Sequence, residues 1–343
     1  MRWLSRAFGG SARGPRDLGS EVYSALLAVL DQDLDRAEEA LARAVHGDAE
    51  GIESYLALAR LYRMRGEIGR AIRVHQNLLL REELRKEQRL TVLADLGADF
   101  RQGGYHDRAI ACFEDVVTDD KRDLKSIRAL VQLYAQTGRY ARAIEHSRRL
   151  ARLEGGGQRD EEARLYTEMA RVQFTEGEHD EARRSIKKAL RCNKRCADAW
   201  VQLGDLEAER GRAKAALAAW SEVPRLDRSR GPLVYEKLEA TYAALGRTRD
   251  FEAYVRGLLA EQPGDARARR ALAALLAARG DIDASIAELN RLLGSDADDL
   301  ETRAGLGRIL LSEGRTGEAA REYGSMIAAL TRRGLLLGEE KPD

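Results

Sequence analysis

The sequence predicts an all-α protein: a right-handed superhelical solenoid of about nine stacked helix pairs. Three observations lead there. A helix–turn–helix layout seen clearly in Glu53–Leu84 returns along almost the whole chain. Each return carries a glycine at the turn in eight cases of nine. Charged residues make up 34% of the chain, aromatics only 6%, and there are five prolines, which suits exposed helices with small-residue packing better than a sheet.

In Glu53–Leu84, Tyr55, Leu58, Ala59 and Tyr62 follow the i, i+3, i+4, i+7 spacing of one helical face. Gly66 breaks that helix. Ala71, Ile72, His75, Leu78 and Leu79 then form a second face. Two helices of this kind cannot bury both faces alone, so they require stacked neighbours.

Three columns lay out the repeat. The first, mostly small residues inside the first helix, is Ala25, Ala59, Gly97, Val131, Ala170, Gly204, Glu239, Ala273 and Gly307. The turn column is Gln32, Gly66, Gly104, Gly138, Gly177, Gly211, Gly246, Gly280 and Gly314. The third, early in the second helix, is Ala37, Ala71, Ala109, Ala143, Ala182, Ala216, Phe251, Ser285 and Ala319. Small residues allow two axes to cross closely, and a turn glycine ends a helix in the left-handed region without a Cβ clash. First-column gaps run 34, 38, 34, 39, 34, 35, 34 and 34 residues, the period of tetratricopeptide repeats with two insertions. These fall near Leu80–Gln88 and Ala151–Glu161, the latter with Gly155, Gly156 and Gly157 as a flexible joint. The seventh unit has Glu239 and Phe251 in place of small residues, so it is expected to pack more loosely or at a shifted angle.

The array is expected over residues 19–332, between a flexible basic tail at 1–18 and a C-terminal tail at 333–343. Leu335–Leu337 in that last tail are placed to cap the final helix. Trp3, Leu4 and Phe8 beside Arg2 and Arg6 allow at most peripheral contact with an anionic membrane. The net charge of +1 gives no global field for nucleic acid, and three cysteines make no disulfide framework. No run of 18 apolar residues exists to span a bilayer, so a cytoplasmic location is expected, at most peripheral to the inner membrane.

No catalytic motif is present: there is no GxxxxGK[ST], HExxH or GxSxG. The five histidines are spread over separate units, and His75 is expected in the core. Cys192 and Cys196 are spaced C-x3-C, two thiols where a zinc site wants four ligands. No cofactor, metal or enzymatic activity is therefore expected. The concave surface made by the first helices is the expected site, with Arg60, Arg63, Arg101, Gln102, Lys125, Arg128, Gln132, Gln136 and Arg171 as partner-binding candidates. They are basic or amide, which favours a protein partner with an acidic segment. Asp198, Asp205, Glu209 and Glu236 make the sixth and seventh units acidic instead. Nucleic acid binding would need aromatics among these arginines, and Phe174 alone qualifies. Oligomeric state is not encoded in any of these features.

Beyond the repeat, RGEIGRAIRVHQNLL at Arg65–Leu79, EQRL at Glu87–Leu90 and LGADFRQGGYHDRAIACFEDV at Leu96–Val116 resemble the lipopolysaccharide assembly protein B family. The resemblance includes the four-residue insertion between those units and extends more weakly over about residues 20–330. It implies a non-enzymatic regulator of lipopolysaccharide synthesis, an adaptor that presents the deacetylase of lipid A synthesis to a membrane protease. Two family features are not matched: Met1–Ser20 does not form its transmembrane helix, and the paired cysteines of its rubredoxin-like metal domain do not occur before Asp343. Metal binding is therefore not carried over. A second reading is a scaffold for another bacterial complex. Chaperone-tail binding is not expected, because Asn77, Asn193 and Asn290 all fall outside the first helices.

Overall fold

Apolar residues recurring every three to four positions, broken at regular intervals by glycine, fold as short helices. A computed structural model describes residues 15–47 and 51–333, with side chains from residue 21. Eighteen α-helices and one 3-10 segment occur among the described residues. They run α1 (Pro15–Leu30), α2 (Leu34–Gly47), α3 (Ile52–Met64), α4 (Ile68–Leu79), α5 (Lys86–Gln102), α6 (His106–Asp119), α7 (Leu124–Gln136), α8 (Tyr140–Glu154) and α9 (Arg159–Thr175). Then follow α10 (His179–Cys192), α11 (Ala197–Glu209), α12 (Ala213–Leu226), α13 (Tyr235–Ala244), α14 (Thr248–Glu261), α15 (Ala266–Ala278), α16 (Ile282–Ser295), α17 (Leu300–Ser312) and α18 (Thr316–Arg332). The 3-10 segment, Arg228–Leu233, joins α12 to α13. Among the described residues these helices form an all-helical, tetratricopeptide-type series of nine successive pairs. The chain divides into two compact units, residues 1–169 and 170–343. The tail predicted at residues 1–18 lies outside the described residues up to position 14, and 15–18 open α1. The capping role predicted for Leu335–Leu337 lies outside them altogether.

Every pair closes in the same way. At Gly66 φ is +78°, its amide donates to the Arg63 carbonyl at 3.1 Å, and the next amide, of Glu67, donates to Tyr62 at 2.8 Å. That pairing of 5→2 and 6→1 bonds satisfies carbonyls the helix end would leave unpaired. The other seven column glycines share the positive φ. Gln32 shares it too, at +59°, and is the one non-glycine residue with positive φ among those described. Its neighbours make the same bonds, Gln32 to Val29 and Asp33 to Ala28.

The third column is buried in all nine units, with Phe251 only 1% exposed. The first column meets the residue sixteen positions later on the paired helix, and the two sizes compensate. Gly97 sits under Phe113, Gly204 under Trp220 and Gly307 under Tyr323; a Cβ at Gly204 would lie 2.2 Å from Trp220 Cδ1. Alanine columns stand with Leu41, His75, Ile186 and Leu289 at that spacing, and Val131 stands with Ser147. Large against small keeps each crossing filled without overlap. In the first unit, Ala25, Leu41, Leu61 and Ala71 share one core cluster. In the second, Trp220, Phe251, Val255 and Leu272 share another, and Leu289 and Leu306 belong to a third.

The seventh pair departs from this pattern as its sequence suggests. Its first helix, α13, has ten residues and meets α14 along a shorter stretch than α11 meets α12. Phe251 fills the crossing where other units have alanine or serine, stacked between Tyr242 and Tyr254 at ring separations of 5.6 and 6.4 Å. Leu238 stays fully buried, while the column residue Glu239 is exposed.

Candidate functional site

The predicted residues fall on the first helices α3, α5 and α7 of the first unit, except Arg171, which is exposed on α9 in the second unit. Side chains on these helices build two adjoining clefts. One, of about 470 Å³, has Ala94, Ala98 and Ala129 among its lining with Arg60, Arg101 and Lys125. The other, of about 510 Å³, is lined by Arg63, Ala98, Arg101, Gln102, His106, Gln132 and Gln136. Arg101 belongs to both.

The arginines do different work. Arg60 donates from Nε and Nη2 to Asp95 at 3.0 and 2.7 Å. Arg63 reaches Asp95 at 3.1 Å and Asp99 at 2.8 Å, and also the Asp95 carbonyl at 3.0 Å. Asp99 is fully buried, and its second oxygen lies 2.5 Å from Nδ1 of the equally buried His75. His75, Asp99, Arg63, Asp95 and Arg60 thus form one polar chain running from the core of the α3–α4 pair to the cleft wall. Burial alone would raise the Asp95 carboxyl, but hydrogen bonds and charge from Arg60, with Arg63 adding, hold it below the usual carboxylate range. The positive charge expected of Arg60 and Arg63 is therefore largely committed inside the protein, because α5 supplies two carboxylates facing α3. His75 is a core residue, as its position predicts, and also the inner end of this chain.

Arg128 is an exposed residue paired with Glu154 at the end of α8. Gln102 donates to the Arg63 carbonyl at 3.1 Å. Arg101 donates to the Gln132 side chain at 3.3 Å, and no carboxylate pairs with Arg101 or Lys125 among the described residues. Of the acids on the first cleft, Asp123 caps α7 through the Ser126 amide and Asp120 accepts from the Arg122 amide. Glu87 stands at the start of α5 on the same wall. By repeat register position 125 is level with 91, ten residues from 101 along α5, so the backbone positions of these two cations without carboxylate partners are offset by about 15 Å along the helix axis.

Of the acids predicted further along, Asp198 pairs with Arg230 at 3.2 Å and Asp205 with Lys237 at 2.6 Å. Asp205 also accepts from Trp220 Nε1 at 3.0 Å. Cys192 ends α10 and Cys196 is the N-cap of α11, each partly buried. Cys112 is buried, which pushes its thiol up to about 11. Among the described residues no three or more His, Cys, Asp or Glu side chains are grouped to hold a metal ion, and no helix is long and apolar enough to cross a membrane.

Helix pairs of this length, closed by a left-handed residue and crossed through a small one at a 34-residue period, are repeats of the tetratricopeptide type. The profile described as "Tetratricopeptide repeat" matches residues 167–229 and 279–333. Over 276 residues the chain is 29% identical to lipopolysaccharide assembly protein B of Escherichia coli K12, covering 80% of this chain and 71% of that protein. The Haemophilus influenzae protein of the same name is 28% identical over 204 residues, 59% of this chain and 51% of its own. Similar solved structures include the MamA protein (TM-score 0.41, 18% identity, 54% of this chain and 96% of that one). Another is a tetratricopeptide repeat protein from Parabacteroides merdae (TM-score 0.41, 14% identity, 76% and 99%).

Proposed function

We propose that this chain is a non-enzymatic scaffold whose first-unit cleft holds an acidic segment of a protein partner. The observation that carries the reading is the pair of exposed cations, Arg101 and Lys125, left without carboxylate partners on a cleft floored by alanine. Their offset of about 15 Å along the helix axis matches four to five residues of extended chain. An acidic side chain at each end of such a stretch would meet one cation. Gln132 and Gln136 on α7 supply amides that both donate and accept, as main-chain groups require. Arg60 and Arg63 serve this cleft as fixed walls, held by Asp95 and Asp99.

The similarity to lipopolysaccharide assembly protein B supports a finer reading. In it, the held partner is a lipopolysaccharide biosynthetic enzyme, presented to a membrane protease. The alternative partner is a component of another bacterial complex, held by the same cleft chemistry. Affinity capture from the native host separates them, comparing wild type with Arg101→Glu/Lys125→Glu. Recovery of the lipid A deacetylase or the protease by wild type and its loss in the variant supports the finer reading. Equal recovery of every partner by the variant excludes the cleft. The variant is chosen because Arg101 and Lys125 hold no internal carboxylate, so the fold survives their reversal. Reversal at Arg60 or Arg63 would instead strand Asp95 and Asp99.

A further inference from the structure

The second unit carries a cleft of its own, of about 510 Å³, on the first helices α13, α15 and α17. Its floor is small: Ala271, Ala274, Ala277 and Gly305, with Ile309 at the side. Six charged side chains line it, and four are committed. Arg267 pairs with Glu301 at 2.6 Å and with Glu236 at 3.8 Å. Arg270 pairs with Asp299 at 2.8 Å and with Glu301 at 2.9 Å.

Glu239 and Arg308 remain. Both are exposed on the cleft, and neither has an ion-pair or hydrogen-bond partner among the described residues. Glu239 occupies the first column, where eight other units hold a glycine, an alanine or a valine, so it is a feature of this pair and no part of the repeat's packing. Enclosure by the cleft walls, then the charge of Glu236, holds its carboxyl above the usual carboxylate range, the direction a nearby cation would reverse. By repeat register position 239 is level with 307, so Glu239 on α13 and Arg308 on α17 stand at nearly the same height on opposite walls, with α15 as the floor between.

Successive side chains of an extended chain point to opposite sides. We propose that this cleft docks an extended polypeptide segment with a basic and an acidic residue side by side, the basic one on Glu239 and the acidic one on Arg308. The alanine floor admits the main chain closely. This site is separate from the first-unit cleft and selects a different sequence.

The test uses the full chain and immobilised nine-residue peptide libraries whose central pair is fixed as Lys–Glu, Lys–Ala, Ala–Glu or Ala–Ala. Each charge-assisted contact is expected to favour its charged member by about tenfold in retention. Glu239→Ala restores the usual column residue, so it leaves the packing intact; it should erase the lysine preference and keep the glutamate preference. Arg308→Ala should do the reverse. Arg101→Glu/Lys125→Glu should leave both preferences unchanged, so loss of the first-unit reading does not carry this one with it. Equal retention of all four libraries, or preferences that persist in Glu239→Ala and Arg308→Ala, overturns the proposal.

Discussion

Gly204 has room for a hydrogen and nothing larger, since Trp220 Cδ1 lies 2.2 Å from where its Cβ would stand. The Trp220 ring is 3% exposed and its Nε1 is tied to Asp205, so it cannot swing aside cheaply. Gly204→Ala should destabilise the chain by about 2 kcal/mol despite the better helix propensity of alanine. Urea unfolding checks this, and combining it with Trp220→Leu should recover part of the loss. Gln32 shows the opposite case: a side chain in a conformation that eight glycines hold elsewhere. Gln32→Gly should stabilise by about 1 kcal/mol, read as a higher urea midpoint at unchanged slope. The turn at Gln32 was legible from its place in the column alone. The link from His75 to Arg63 was not. Periodicity assigns a residue to a face, but it does not say which carboxylate of the next helix will lie 2.5 Å away.

At the scale of the element, first helices are joined to the repeat before or after by carboxylates whose protonation the fold resists. Burial would raise Asp95, Glu207 and Asp299, but it is outweighed by Arg60 at Asp95, by Arg183 and Arg212 at Glu207, and at Asp299 by hydrogen bonds from Thr302 with the charge of Arg270. Their folded values lie below the unfolded ones, so their stabilisation is whole above the ordinary carboxylate range and lost as pH falls through the folded values. His146 acts earlier. Burial against Tyr134 holds its imidazole below the ordinary value, so the unfolded chain takes up its proton first as pH falls below about 6.5. Stability should therefore decline gently below that point and steeply below about pH 4. His146→Gln should remove the gentle limb alone; a pH series of thermal melts decides. Of the basic face expected on α3, α5 and α7, Arg60, Arg63, Arg101 and Lys125 line the clefts and Arg128 does not. Arg60 and Arg63 are consumed by Asp95 and Asp99, acids that sit on α5 at the spacing of its inward face, and column spacing does not report that pairing.

Across the whole molecule, ion pairs recur at a separation near one repeat. Arg65 with Asp35, Arg139 with Asp107, Arg210 with Asp180, Arg267 with Glu301 and Arg332 with Asp298 are examples. Contacts thus run chiefly between neighbours in sequence, and stability should be nearly local. Hydrogen exchange on Gly204→Ala should show lost amide protection in α11 to α14, with α3 to α6 unchanged. Uniform loss over both units would mean a cooperativity this arrangement does not supply. The repeat number, the turns and the small-residue crossings were legible because each recurs. Glu239 and Phe251 were visible as exceptions in their columns, but the shortness of α13 and the exposure of Glu239 were not, because no column reports helix length or burial.

The compensation between the first column and the residue sixteen positions on also bears on how such chains can be recombined. A crossover placed between pairs carries both members of a match together. One placed at a turn glycine would set the helix of Val131 against that of Trp220, or the helix of Gly97 against that of Ser147. The first hybrid has two bulky groups at one crossing and the second has a hole. Viable recombinants of this array should have their seams in the loops that leave second helices, such as Asp120–Asp123 or Asn193–Cys196, rather than at the turns within a pair.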